Sequence, residues 1–298
     1  MAAMASARLQ VAGVFTAIVT PFTPDGAAVD YAALDKLLAA QIAGGVAGVV
    51  PVGTTGESPT LSSEEKTEVF KFCVAKCKGK IKVIAGTGSN NTAAAVQATS
   101  QAKALGADAC LIVNPYYNKP SQEGLYQHVK AINAVGLPIM LYNIPGRTGI
   151  TMNPDTVARI YKDCAQVFAI KEATGSLDIA SEIASLCDIQ IFSGDDSLTL
   201  PLMAIGGKGV VSVLSNLAPE RVVGMVNHAL KGDFAAAAKV HVKTFKTFKN
   251  MFVETNPVPC KYAMSLKGMC NPSVRLPLVQ MSDANKTFIK NLVQEEKL

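Results

Sequence analysis

IMLYNIPGRTGITMNPDTVARIYKDCAQVFAIK, residues 139–171, is the stretch from which the fold can be inferred. Its two ends, Ile139–Asn143 and Val167–Lys171, are continuous apolar runs, which is typical of strands buried on both faces of a parallel sheet. Between them, Asn153 and Pro154 predict a helix start, because an asparagine side chain can accept amides of the first turn and proline has no amide to satisfy. The stretch therefore predicts a strand, a helix and a second, parallel strand.

The same alternation of strand and helix continues along most of the chain. Eight such units over roughly 220 residues match the size of a (β/α)8 TIM barrel, an α/β fold whose parallel strands close on themselves. An open doubly wound sheet is the alternative, but it usually has a glycine-rich loop after its first strand, where this chain has Thr20-Pro21-Phe22. The predicted strands are Val14–Thr20, Gly48–Val52, Lys82–Gly86, Ala109–Asn114, Ile139–Asn143, Val167–Lys171, Gln190–Ser193 and Gly209–Val213.

The pattern changes near residue 231, beyond which only helical periodicity is found. A proline-rich join, Asn256–Pro259, interrupts this region. We therefore expect a catalytic (β/α)8 barrel over residues 11–231 and a small C-terminal three-helix subdomain over residues 232–298. The candidate helices of the subdomain are Phe234–Phe252, Val258–Leu266 and Asp283–Glu296.

Composition and charge exclude several classes of protein. The 298 residues are 49% hydrophobic and 17% charged, which is not the balance of a disordered chain. No apolar run reaches the length of about 18 residues that a membrane helix needs. The net charge of +5 comes from residues 232–298, with ten Lys or Arg against five Asp or Glu, so no nucleic-acid partner is expected for the neutral barrel. We expect a soluble cytoplasmic protein, or a plastid one if residues 1–10 are the remnant of a targeting segment.

Cysteine and histidine positions argue against a metal centre and against a Ser-His-Asp hydrolase. The seven cysteines include no C-x-x-C pair, and Cys73 and Cys77 share an apolar helix face on which packing explains them. His128, His228 and His241 show no metal-binding spacing. We therefore expect no metal site.

Lys171 is the most informative single residue, because it ends an apolar strand where the strands of a barrel meet at the active site. Burial there disfavours the ammonium form, and an amine must be neutral to attack a carbonyl carbon. An ion pair with a neighbouring carboxylate such as Glu172 is the structural alternative. The strand context alone leaves both open.

Other polar residues at the predicted strand ends favour Schiff-base chemistry on Lys171. With no suitable histidine, the phenol of Tyr142 is the natural acid and base, and Thr54 could pass its proton on. The Thr55 hydroxyl and the glycine-flanked loop around it suit a carboxylate, as does the guanidinium of Arg147. Each residue alone has an ordinary structural explanation, and only their convergence is informative.

Two other motifs are set aside. Asp195-Asp196 resembles a carboxylate pair, but adjacent side chains point in different directions, so we expect them to cap the next helix. The loop Gly206–Gly209 resembles a phosphate loop, but it precedes a strand and so belongs to the opposite end of the barrel, and it lacks the required spacing.

These residues and their spacing resemble the class I pyruvate-dependent aldolases of the dihydrodipicolinate synthase and N-acetylneuraminate lyase type. The resemblance runs from about Gly13 to Pro277, and Tyr117, Arg147 and the paired threonines point to the dihydrodipicolinate synthase branch. The motifs that carry it are GTTGE at 53–57, YNIPGRTG at 142–149, KEATG at 171–175, SGDD at 193–196 and NPVP at 256–259.

The resemblance implies that Lys171 forms an imine with pyruvate, which then attacks L-aspartate 4-semialdehyde in the first committed step of lysine biosynthesis. Tyr142 is then the proton donor and acceptor, with Thr54 and Tyr117 completing the relay. No metal or organic cofactor is implied. The implied assembly is a homotetramer of two tight dimers, in which Tyr117 reaches into the neighbouring site. The implied substrate-binding residues are Thr55 and the backbone of Val211 for the pyruvate carboxylate, Arg147 for the semialdehyde carboxylate, and Gly194.

The sequence departs from lysine-inhibited bacterial relatives at three positions. Ala94 replaces a glutamate, and Ser63 and Lys66 replace histidines, so a bound lysine would lose its carboxylate partner. We therefore predict weak or absent lysine inhibition, although Ser58, Asn90 and Tyr116 match. The alternative activities are cleavage of N-acetylneuraminate or a 2-keto-3-deoxy sugar acid, and a catalytically silent binding protein on this fold.

Overall fold

Eight parallel strands pair in the order of the chain, and the last pairs with the first to close a barrel. The computed structural model describes residues 8–298, so most of the stretch predicted as a targeting remnant lies outside the described residues. The barrel predicted from the sequence is confirmed. The strands are β1 Gly13–Thr16, β2 Gly48–Val49, β3 Lys82–Gly86, β4 Ala109–Val113, β5 Ile139–Asn143, β6 Val167–Glu172, β7 Gln190–Ser193 and β8 Gly209–Ser212.

Strands β1 and β2 are shorter than predicted, whereas the other six agree to within one residue. The backbone of Val52 is left-handed, with φ 58°, so the chain no longer pairs as a strand at the end of the apolar run Gly48–Val52. Residues 17–20 and 50–52 remain buried at the rim of the barrel. Hydrophobicity continued past the strand ends because the following loops are also part of the core.

Helices follow the strands around the outside of the barrel. Ser62 and Glu65 form a reciprocal cap at the start of α2. Helix α6 begins at Pro154 as predicted. The predicted cap by Asn153 is wrong, because its side chain makes no capping bond. The backbone amide of Asn153 donates to Gln122 Oε1 (3.0 Å). The helices are α1 Tyr31–Ala43, α2 Ser63–Cys77, α3 Thr92–Ala104, α4 Gln122–Asn133, α5 Pro145–Thr148, α6 Pro154–Asp163, α7 Leu177–Leu186, α8 Thr199–Ala204, α9 Pro219–Leu230, α10 Phe234–Asn250, α11 Val258–Leu266 and α12 Asp283–Glu295.

The core has two layers, one inside the barrel and one between the strands and the helices. Inside, large side chains fill the lumen, and Phe15 packs edge-on against Phe192 with ring centres 5.6 Å apart. Along β5, Met140 and Tyr142 belong to the inner layer, whereas Leu141 belongs to the outer one. Because Tyr142 is the last inward residue of this strand, it stands at the open end of the filled lumen.

The three predicted C-terminal helices are present as α10, α11 and α12. Helix α10 packs along α9 of the barrel, and α11 packs against α12. The division into residues 11–231 and 232–298 stays a prediction. Cys73 and Cys77 are buried in the outer layer, as predicted. Among residues 8–298, no helix has both the length and the hydropathy needed to cross a bilayer.

Candidate active site

Lys171 and Tyr142 are neighbours in the barrel, because β5 and β6 pair with these two residues in register. Both side chains are buried, and the Lys171 Nζ atom lies 4.1 Å from the centre of the Tyr142 ring. The period-two alternation of parallel strands directs both toward the lumen. The structure therefore brings together the two residues that the sequence suggested as nucleophile and as acid and base.

Lys171 has no ion pair among residues 8–298, so the alternative explanation of this lysine, an ion pair with a carboxylate such as Glu172, receives no support. The adjacent carboxylate of Glu172 is occupied elsewhere: it accepts the Thr174 amide (2.6 Å) and the Asn143 Nδ2 group (3.3 Å). Burial raises the pKa of Glu172 above its ordinary value, and these hydrogen bonds act against that rise. The amine is thus enclosed beside an aromatic ring without a carboxylate in salt-bridge contact.

The relay loop, residues 53–57 after β2, places Thr54 and Thr55 at the same end of the barrel. The Oγ1 atom of Thr55 is buried and accepts a hydrogen bond from Asn256 Nδ2 (2.9 Å). Because the amide nitrogen is the donor, the hydroxyl hydrogen of Thr55 is free to point toward another acceptor. Asn256 had no predicted role, although it belongs to the NPVP motif of the family resemblance.

A cavity of about 310 Å³ joins Thr54, Tyr142 and Arg147. Arg147 lies on α5 at the exposed mouth, where its Nη2 group donates to the carbonyl oxygen of Asn256 (3.4 Å). The volume falls at the lower end of the range for small-molecule sites, which suits short carboxylic acids. The remaining lining residues are Val52, Gly53, Ser58, Pro59, Lys66, Gly86, Gly88, Ser89, Leu111, Val113, Tyr116, Ile144 and Thr148.

Gly194 and Val211 lie at the ends of the two strands that follow β6. Gly194 comes directly after β7, and a Cβ atom added to it would lie 2.4 Å from the Cβ of Ala173, so only glycine fits beside the strand that carries Lys171. Val211 is fully buried on β8, where it pairs with Phe15. Neither residue has a polar side chain.

Tyr117 does not join the site of its own chain, because its side chain is 90% exposed. Its backbone is left-handed (φ 73°), an uncommon conformation for a large residue. Two hydrogen bonds hold the surrounding loop: Asn90 Nδ2 donates to the Tyr116 carbonyl oxygen (3.2 Å), and Asn118 Nδ2 donates to the Asn90 carbonyl oxygen (2.8 Å). The tyrosine is thus presented to solvent by an ordered loop.

The prediction that Asp195 and Asp196 cap the next helix is wrong. Asp195 makes no capping bond with its side chain. Asp196 Oδ2 instead accepts the amides of Val213 (3.0 Å) and Leu214 (2.9 Å), which follow β8. Burial raises the pKa of Asp195, and the positive charges of Lys171 and Lys249 act against that rise.

The glycine-rich loop ending at Gly209 precedes β8, as expected, and so lies at the end of the barrel opposite Lys171. A Cβ atom on Gly209 would lie 1.9 Å from the carbonyl oxygen of Gly13 on β1. These glycines therefore serve the close approach of two backbones. Among residues 8–298, no group of three or more His, Cys, Asp or Glu is arranged to hold a metal ion.

Comparison with known proteins places the whole chain in one family. The profile of the dihydrodipicolinate synthetase family matches residues 10–296. The 4-hydroxy-tetrahydrodipicolinate synthase of Endomicrobium trichonymphae is 51% identical over 285 residues, which cover 95% of this chain and 97% of the relative. The crystal structure of dihydrodipicolinate synthase from Aquifex aeolicus is 44% identical, with a TM-score of 0.94, and the match covers 96% of this chain and 98% of that one.

A further solved structure, of a protein described as a monomeric dihydrodipicolinate synthase variant, is 41% identical, with a TM-score of 0.94 and coverage of 97% of both chains. Sequence identity at this level over almost the full length of each chain, together with the same closed barrel, leaves no other family to consider. The chain therefore belongs to the dihydrodipicolinate synthetase family.

Proposed function

We propose that the chain condenses pyruvate with L-aspartate 4-semialdehyde through an imine on Lys171, the reaction for which its relatives are named. The observation that carries this proposal is the placement of the Lys171 amine: it is buried, it has no ion-pair partner in residues 8–298, and it lies 4.1 Å from the Tyr142 ring centre. A buried lysine without a paired carboxylate leaves its amine free of the contact that would compete with attack on a carbonyl carbon.

The chemistry starts when the Lys171 Nζ atom attacks the ketone carbon of pyruvate. The resulting carbinolamine loses water to give an imine, which loses a methyl proton to become an enamine. The enamine carbon then attacks the aldehyde carbon, and the aldehyde oxygen takes up a proton. Finally, the amino group of the semialdehyde displaces the lysine and closes the ring of the product. The imine itself withdraws the electrons, so we propose no metal or organic cofactor.

Each of these steps moves a proton, and we assign the proton transfers to the Tyr142 hydroxyl. Thr54 lines the same cavity, and we assign it the second place in the relay. We assign the third member of the relay to Tyr117 of a second copy of the chain, because the exposed Tyr117 ring of an isolated chain is available to a neighbour. This assignment requires at least a tight dimer, and we propose a tetramer of two such dimers.

The substrate carboxylates have separate binding groups in this proposal. The free hydroxyl hydrogen of Thr55 and the backbone at Val211 bind the pyruvate carboxylate, with Gly194 leaving room at the same rim. Arg147, at the mouth of the cavity, binds the carboxylate of the semialdehyde. An enzyme that cleaves a sugar acid has no need of a guanidinium beside a short aldehyde, which favours the synthase activity.

We also propose weak or absent inhibition by lysine and a cytoplasmic location. Lys66 lines the cavity near Ser58 and Tyr116, and it has no carboxylate in salt-bridge contact among the described residues. Burial lowers the pKa of Lys66, but a lysine side chain provides no negative charge for the ammonium group of a ligand. The pocket thus lacks the partner that a bound lysine would need.

The decisive experiment is reduction with borohydride in the presence of pyruvate, followed by peptide mapping. We expect one reduced pyruvate adduct per chain, on Lys171, and none in Lys171→Arg. A chain that gains no mass would be a silent binding protein, and an adduct on another lysine would refute the assignment. A coupled assay with L-aspartate 4-semialdehyde, N-acetylneuraminate and 2-keto-3-deoxy sugar acids then separates the synthase from its lyase relatives.

A further inference from the structure

The relay loop ends in a buried ion pair with the C-terminal helices. The Glu57 side chain is almost inaccessible, and its Oε1 atom accepts a hydrogen bond from Lys261 Nζ (2.7 Å). Its other oxygen, Oε2, accepts the Arg275 backbone amide (3.1 Å). Lys261, on α11, is fully buried. Both carboxylate oxygens of the loop's last residue are therefore held by residues far along the chain.

The same lysine also ties the loop to the segment that follows β1. Lys261 Nζ donates to the carbonyl oxygen of Thr20 (2.9 Å), and the Thr20 hydroxyl donates to the carbonyl oxygen of Gly56 (2.7 Å). The ammonium group lies 4.3 Å from the centre of the Phe22 ring, so an aromatic face covers it as well. The last two residues of the relay loop are thus fixed by one buried cation, directly and through Thr20.

Such an arrangement is not explained by stability alone. Removing two charges from water is costly, and an apolar pair of similar volume is often at least as stable as a buried ion pair. Glu57 also has a left-handed backbone (φ 53°), which is unfavourable for a residue with a Cβ atom. Both unfavourable features, the buried ion pair and the left-handed backbone, therefore occur at Glu57, which lies only two or three positions after Thr55 and Thr54.

We propose that Glu57 and Lys261 are positioning residues that hold Thr54 and Thr55 in the geometry needed for proton relay and for carboxylate binding. The proposal rests on the proposed function of this site. It is supported by the second link, from Asn256 Nδ2 to Thr55 Oγ1, because Asn256 lies just before α11, the helix that carries Lys261. The C-terminal segment thus holds the relay loop at two points.

The proposal predicts a specific kinetic defect. If the loop loosens, Thr55 binds the pyruvate carboxylate less well and Thr54 is displaced from the cavity that it shares with Tyr142. The KM for pyruvate should rise and kcat should fall, whereas the imine should still form on Lys171, which belongs to β6 and not to the loop. A displacement of about 1 Å in catalytic groups is enough for a rate loss of about 100-fold.

The test compares the double variant E57Q/K261M, which removes the ion pair, with two controls. K246M/E295Q makes the same chemical change at an exposed pair, and Met264→Ala opens a cavity on α11 while leaving the Glu57–Lys261 pair unchanged. We expect E57Q/K261M to raise the pyruvate KM at least about tenfold and to lower kcat about 10–100-fold, with a borohydride adduct still formed. Both controls should keep KM and kcat per folded chain, even where Met264→Ala lowers the melting temperature.

Kinetic constants of E57Q/K261M within twofold of the wild type would overturn the proposal, as would losses that only follow the folded fraction. If the double variant does not fold, Glu57→Asp keeps both charges but withdraws the carboxylate by one methylene. That variant should show the same rise in KM and fall in kcat, and unchanged constants would refute the idea. A wild-type protein that forms no pyruvate adduct would instead refute the proposed function, and this inference with it.

Discussion

Replacing Tyr142 by phenylalanine separates the chemistry of its hydroxyl from the packing of its ring. The ring belongs to the inner core layer and covers the Lys171 amine, and phenylalanine keeps both contacts. No hydrogen bond to the Tyr142 hydroxyl is found within residues 8–298, so its loss leaves no partner unsatisfied there. We therefore expect a change of less than about 0.5 kcal/mol in the free energy of unfolding.

The effect of Tyr142→Phe on turnover should be large. General acid and base catalysis contributes about 100- to 10,000-fold, which corresponds to about 2.7–5.4 kcal/mol of barrier at 1.36 kcal/mol per tenfold. The assay is kcat and pyruvate KM by a coupled reaction, with thermal unfolding measured on the same samples. Tyr142→Ala is the comparison: it also removes the ring from the core and should cost about 3–5 kcal/mol of stability. A Tyr142→Phe enzyme that retains more than a tenth of wild-type kcat would refute the assignment.

Three further predictions concern assembly, acid stability and regulation. Tyr117→Phe should be nearly inactive by itself, and mixing it with Tyr142→Phe under subunit exchange should restore activity; no recovery in a verified hetero-oligomer would argue against a shared site. Two hydrogen bonds from Arg275 (2.7 Å each) lower the pKa of the Glu65 carboxyl from its ordinary value of 4.5. The stability that these bonds give is therefore present above that pH and is lost as the pH falls through the folded-state pKa. Glu65→Gln should cost about 1–3 kcal/mol at pH 7 and flatten the fall in unfolding free energy below about pH 4.5, as measured by urea unfolding across pH. Lysine should not inhibit at sub-millimolar concentration, and Lys66→His with Ala94→Glu should increase its effect; strong inhibition of the wild type would contradict this.

The sequence predicted the barrel and the Lys171–Tyr142 pair because both depend on local patterns. Continuous apolar runs of strand length located β5 and β6, and parallel strands of one barrel necessarily bring their C-terminal ends together. The predicted C-terminal ends of β1 and β2 were wrong because hydrophobicity indicates burial and not β-sheet pairing. Residues 17–20 and 50–52 are buried but lie outside the strands, and the backbone of Val52 is left-handed. Local periodicity contains no information on that turn.

The contacts that orient the site were missed because they join residues far apart in the chain. Glu57 and Lys261 are 204 residues apart, and Thr55 and Asn256 are 201 apart. A charged residue in a polar motif is usually solvated, so neither Glu57 nor Lys261 stood out by type. The prediction for Asp196 was also wrong, because Asp196 follows β7 whereas its partners, the amides of Val213 and Leu214, follow β8. Such pairs follow only from the assembled fold.

The meeting of β1 with β8 has a consequence for synthesis on the ribosome. The first strand to emerge has one free edge until the last strand is made, because its second neighbour is β8. An exposed strand edge is a template for pairing with other chains. Since a Cβ atom on Gly209 would collide with the Gly13 carbonyl oxygen, a side chain at this seam would delay or prevent closure of the nascent barrel. Substitutions there should therefore reduce the yield of soluble protein in the cell, even though they lie at the end of the barrel remote from Lys171.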